Sequence, residues 1–137
     1  MAQNTNPVFS LVPNIGMIQS ALTANTGTDI TAGTIYLCFT AGANGSWVDF
    51  MDIKPLGTNV ASFFRFWVNN GSATGTLANS NYVKDWANPS TVAANTNPQP
   101  QGPMPWRLAL PPGWRIYATL PTGVAAGFDI TTYGGDF

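Results

Sequence analysis

Apolar and polar residues in this chain alternate in short runs, and glycine, proline or asparagine cuts off each run before several helical turns could form. The residues that would oppose this pattern are scarce. Glutamate is absent, whereas glycine (14) and proline (11) recur throughout and asparagine and threonine are abundant. A fold of strands and turns with little helix follows.

Residues 34–40 (TIYLCFT) are apolar at nearly every position, which suits a strand buried on both faces. The run stops at Ala41-Gly42-Ala43-Asn44-Gly45, whose Asn-Gly pair tolerates positive φ and predicts a tight hairpin, so the next strand is expected to pair with this one. That strand, residues 46–54 (SWVDFMDIK), places Trp47, Asp49, Met51 and Ile53 on one side. Ser46, Val48, Phe50 and Asp52 take the other, with Val48 and Phe50 toward the core.

After a turn at 55–59, VASFFRFWV puts Val60, Ser62, Phe64, Phe66 and Val68 on one face and Ala61, Phe63, Arg65 and Trp67 on the other. Both faces are largely apolar. The second must therefore lie between layers or present aromatic rings to a neighbouring chain.

Weaker strands are expected near residues 16–22 and 81–86. MPWRLAL aligns Met104, Trp106, Leu108 and Leu110, and WRIYATL aligns Trp114, Ile116, Ala118 and Leu120. A last strand, AGFDITTY, is expected to pair with WRIYATL across the turn between them. The total is about eight strands, joined by connections too short for the helical crossovers of a parallel sheet. The predicted fold is all-β, an antiparallel two-sheet β-sandwich of which the jelly roll is one form. Residues 1–137 make a single domain, with an N-terminal arm at 1–14 and an extended, proline-marked loop or arm at 87–102.

With 45% hydrophobic residues, including five Trp, eight Phe and four Tyr, the chain has material for a large core. Only 8% of its residues are charged, against about 25% in an ordinary soluble domain. Such a surface suits a subunit covered by partners better than a free monomer. Lys54, Lys84, Arg65, Arg107 and Arg115 are scattered, which leaves no electrostatic footprint for nucleic acid or an anionic membrane. MAQNTNPVFS lacks the basic start and apolar stretch of a signal peptide, and no apolar run approaches the ~20 residues that cross a bilayer.

Histidine is absent, which removes the commonest general base, the usual metal ligand and the middle member of the Ser and Cys triads. Cys38 sits in an apolar run and reads as a buried, inert thiol. Asp29, Asp85, Asp129 and Asp136 are too isolated for a calcium loop. Asp49 and Asp52 could recruit glycosidase chemistry only from one face, and strand alternation sends them to opposite ones. An enzyme is not expected, nor any cofactor or metal. The candidate functional residues are instead a subunit interface: Phe63 and Trp67 on the second aromatic face, Trp47 after the AGANGS turn, Pro98 and Pro100 in the extended loop, and the terminal Phe137.

Two blocks, residues 39–71 and 110–137, resemble a recurrent family of small structural proteins of tailed bacteriophages. The shared features are the TAGANGS turn, a GTNVA turn leading to a strand that ends in NNG, the LPPGW turn, and VAAGFDIT near the C-terminus. Trp47 departs from the pattern at a place where a basic residue is common, as does the proline-rich middle segment. The resemblance implies a β-sandwich that decorates, or cements, the outer surface of the major capsid protein lattice. The protein would be made in the host cytoplasm and carried on the virion, with a homo-oligomer, a trimer at threefold junctions, favoured. A tail, neck or baseplate component is the alternative within structural proteins. A carbohydrate-binding module is the alternative from another class.

Overall fold

The computed structural model describes residues 10, 12–21, 23–25, 30, 33–72, 79–92 and 103–137. Among them run eight strands: β1 (Val12–Ala21), β2 (Tyr36–Thr40), β3 (Ser46–Pro55), β4 (Ser62–Asn69), β5 (Ser80–Asn88), β6 (Pro103–Leu110), β7 (Arg115–Thr119) and β8 (Phe128–Asp136). Four antiparallel pairings are nested: β1 with β8, β2 with β7, β3 with β6 and β4 with β5. The chain is thus one long hairpin folded back between β4 and β5. Two more antiparallel pairings, β3 with β8 and β4 with β7, roll it up. The product is two four-stranded sheets, β1-β8-β3-β6 and β2-β7-β4-β5, an all-β sandwich with jelly-roll topology.

Nesting overturns two expected pairings. The AGANG segment does form a tight turn, with Gly45 N donating to Gly42 O at 3.1 Å and Gly45 at φ +91°, but it carries the chain from β2 in one sheet to β3 in the other. Likewise β7 and β8 lie in opposite sheets instead of pairing. β1 begins at Val12, so residues 12–14 of the expected N-terminal arm are strand, while 1–9 lie outside the described residues. At the other expected arm, Ala87 and Asn88 belong to β5. Thr91 is bridged to Asn59 by two backbone hydrogen bonds of 2.9 and 3.0 Å. Residues 93–102 lie outside the described residues.

The core lies between the sheets. Phe64 and Phe66 of β4 face Val48, Met51 and Ile53 of β3 and Phe128 and Ile130 of β8, and Ile116 and Ala118 of β7 complete it. Phe64 meets Phe128 edge-on at 5.5 Å, and burying each such ring contributes about 1.5–3 kcal/mol. A bulge at Asp49 shifts the alternation of β3. Met51 and Ile53 therefore enter the core, and Phe50, expected inside, stacks outside on Tyr133 at 4.6 Å. In β2, a register shift at Cys38 turns both Cys38 and Phe39 inward, and Leu37 is left exposed, so this strand is not buried on both faces. Burial pushes the Cys38 thiol far above its ordinary range, a backbone hydrogen bond from Ala118 only partly opposing it. The thiol is structural.

The two long edges of the sandwich close differently. At one, β1 crosses β2 so tightly that a Cβ on Gly16 would overlap the carbonyl oxygen of Cys38. At the other, β5 and β6 are not hydrogen-bonded neighbours. There, Lys84 Nζ donates to Pro105 O at 2.9 Å and lies over the Trp106 ring, which in turn meets Phe66 edge-on.

Turn segments far apart in sequence converge on the two ends of the roll. At one end TAGANGS, LPPGW and the C-terminal GGDF meet: Ala41 N donates to Trp114 O, Gly113 N to Gly42 O and Phe137 N to Gly45 O. The Asp136 carboxylate accepts from Ser46 Oγ, from Asn14 Nδ2 at 2.7 Å and from Gly42 N at 3.3 Å. At the other end GTNVA meets VAAGFDIT through buried Asn59, whose side chain accepts from Ala126 N and Gly127 N and donates to Gly127 O. These residues tie loops together at each end.

Burial raises the Asp136 carboxyl, but the hydrogen bonds from Ser46, Asn14 and Gly42 outweigh it and hold the group below its ordinary value of 3.8. A carboxylate depressed by folding contributes stability above its unfolded pKa and loses it as pH falls through the folded value. Urea midpoints should therefore decline below about pH 4. Asp136→Asn should be less stable than the parent at neutral pH, with the gap narrowing on acidification. A gap that stays constant into the acid range would show that the charge on Asp136 contributes nothing.

Candidate functional site

Strand register places the outward side chains of each sheet in rows. On β1-β8-β3-β6, one row runs Pro13, Gly135, Trp47, Ala109 and the next runs Ile15, Tyr133, Phe50, Pro105. A third runs Met17, Thr131, Asp52, Pro103. Ile15 is 52% exposed, Met17 70% and Trp47 39%. Trp47 stands between Gly135 and Ala109, whose small side chains leave part of its surface open. Charge is interleaved with these rows, mostly on the inner strands: Asp52 pairs with Lys54 at 3.3 Å, Asp129 stands opposite Lys54, and Asp49 and Arg107 flank a shallow cleft of about 310 Å³ with Phe50, Pro103 and Pro105. The cleft marks the paired irregularity of β3 and β6, where Arg107 takes φ +50°. Because of the bulge, Asp49 and Asp52 share this outer face instead of lying on opposite ones.

The outer face of β2-β7-β4-β5 carries the row Leu37, Tyr117, Trp67, Tyr82. Trp67 is only 4% exposed: Ile30 and Tyr117 pack on it, and Tyr82 lies at 5.3 Å. Its Nε1 donates to Thr119 Oγ1 at 3.2 Å. The cover expected for Trp67 thus comes from its own chain, and not from the second sheet. Beside it, Arg65 stands directly opposite Asp85 and places its guanidinium 5.2 Å from the Phe63 ring centroid. Phe63, Arg65, Trp67, Tyr82 and Asp85 together line an open cleft of about 340 Å³. A hydrogen bond to Asp85 above all, then burial and the Asp85 charge, push the Tyr82 hydroxyl above its ordinary value, with Arg65 opposing.

The expected interface residues therefore do not form one surface. Phe63 and Trp67 share the second cleft, while Trp47 lies on the opposite sheet. Phe137 is at an end of the roll, where its carbonyl accepts from Asn44 Nδ2 at 3.2 Å. Pro98 and Pro100 lie outside the described residues. Sequence reasoning missed Tyr82 and Asp85 because their odd spacing implies opposite faces. The register shift at Val83, between the pairs Trp67↔Tyr82 and Phe66↔Lys84, brings them onto one face. It also missed Ile15, Met17 and Tyr133, whose only signal is a weak apolar alternation.

No family model, curated protein or solved structure matches the chain.

Proposed function

We propose that this protein is a bacteriophage capsid decoration subunit that attaches through the outer face of β1-β8-β3-β6 to the major capsid protein. The observation that carries the reading is a sheet face with apolar side chains on all four strands and an exposed tryptophan on the inner strand β3, at the end of the sheet beside the Gly45 turn. Patches of this kind mark protein contact sites, and Trp is the residue most enriched among those that dominate interface energy. The low charge of the surface agrees with a covered subunit. Viral capsid domains often use the jelly roll, an analogy of fold that adds weight without assigning function. A trimer over a threefold junction would multiply modest single contacts by avidity.

The test is to separate heads from tails of purified virions and quantify the chain in each by mass spectrometry. The proposal expects it in heads, at a copy number matching the capsid lattice. Recovery with tails in few copies would support the tail, neck or baseplate reading instead. Absence from both fractions would exclude a virion role.

A further inference from the structure

We propose that the cleft on the outer face of β2-β7-β4-β5 is a saccharide-binding site, with Tyr82 as its stacking platform and Arg65 and Asp85 as its polar contacts. The site lies on the sheet opposite the proposed attachment face, so it stays open to solvent when that face is covered. Its existence does not depend on the attachment.

Three observations support a polyhydroxylated, uncharged ligand surface. Tyr82 is 50% exposed, yet its ring packs at a tilt against the neighbouring Trp67, itself pinned by Thr119, Tyr117 and Ile30. A platform fixed before binding loses little entropy when a ring settles on it. Arg65 and Asp85 face each other across adjacent strands, so the cleft holds one positive and one negative group and has no bias toward phosphate or nucleic acid. A guanidinium donates and a carboxylate accepts. Neighbouring hydroxyls of a pyranose, each both donor and acceptor, can hydrogen-bond to both groups, while the C–H face of the ring covers Tyr82. The cleft is too open to enclose a small apolar molecule, which would need most of its surface buried. It can admit a sugar within a longer chain.

The chain, displayed multivalently, should be overlaid on an array of neutral and acidic oligosaccharides. Binding to a subset is expected. Tyr82→Ala and Asp85→Asn should each weaken it by roughly tenfold or more. Tyr82→Phe keeps the platform and should stay within about threefold of the parent. Thermal melts run alongside separate loss of binding from loss of fold, and Asp85→Asn, on a surface side chain, serves if Tyr82→Ala unfolds. The proposal is overturned if no glycan is bound, or if binding survives both Tyr82→Ala and Asp85→Asn in folded protein. It is also overturned if these substitutions alter self-association in sedimentation and leave glycan signals unchanged, because a second copy of the chain would then be the occupant.

Discussion

Gly16→Ala is expected to be among the most destabilising single substitutions in the protein, costing roughly 3 kcal/mol or more and lowering Tm by on the order of 10 °C. The cause is steric. The added Cβ would run into the backbone carbonyl oxygen of Cys38, which no side-chain rotation can move aside. Relief requires β1 to lift from β2, which would open the edge where the two sheets meet. Gly113→Ala is the control: it has φ +71° and nothing within 4 Å of a built Cβ, so only the left-handed backbone cost of about 1–2 kcal/mol remains. Differential scanning calorimetry of both variants checks the contrast. Equal, small losses would mean that β1 does not close on β2 in solution.

The second large effect is expected in attachment. Trp47→Ala should leave the free fold nearly as stable as the parent, since the indole is 39% exposed and its row neighbours are Gly135 and Ala109. At a covered interface the same truncation should cost about 2 kcal/mol or more, a loss of roughly 30-fold in affinity for capsids lacking the subunit. Met17→Ala, nearer the rim of the same face, should cost less. Tyr82→Ala, on the opposite sheet, should leave attachment unchanged. If instead Tyr82→Ala detaches the subunit and Trp47→Ala does not, the two faces have been assigned the wrong way round.

Strand positions and much of the core are legible in the sequence because burial imposes its alternation wherever a strand is regular. β4 shows this, with Phe64 and Phe66 inward and Phe63, Arg65 and Trp67 outward, as does β7. Alternation fails where a residue is inserted. The irregularities at Cys38, Asp49 and Val83 each reverse the faces that follow, which hid the outward stacking of Phe50 and the pairing of Tyr82 with Asp85 on one face, while the exposure of Leu37 was hidden because its strand is apolar at nearly every position. Bulges leave little mark in composition, so no count of apolar positions reveals them. Pairing was misread for a different reason. Consecutive strands usually neighbour one another, but in a nested roll only β4 and β5 do so, and the turns at Gly45 and Pro121 that look like hairpins are crossings between sheets.

The candidate surfaces were legible only in part. Phe63, Trp67 and Trp47 stood out as large aromatics on strand faces away from the expected core, but which rings remain exposed depends on what the rest of the chain lays over them. Ile30 and Tyr117, distant in sequence, bury Trp67, whereas the small neighbours of Trp47 leave it standing.

Electron cryomicroscopy of the virion, at a resolution that traces the chain, reads out which sheet meets the shell. The expected result is an eight-stranded roll on the outside of the capsid shell, with Trp47, Ile15 and Met17 against the major capsid protein and Tyr82 turned to solvent. A roll seated with Tyr82 inward and Trp47 exposed, or a capsid surface with no such density, would contradict it.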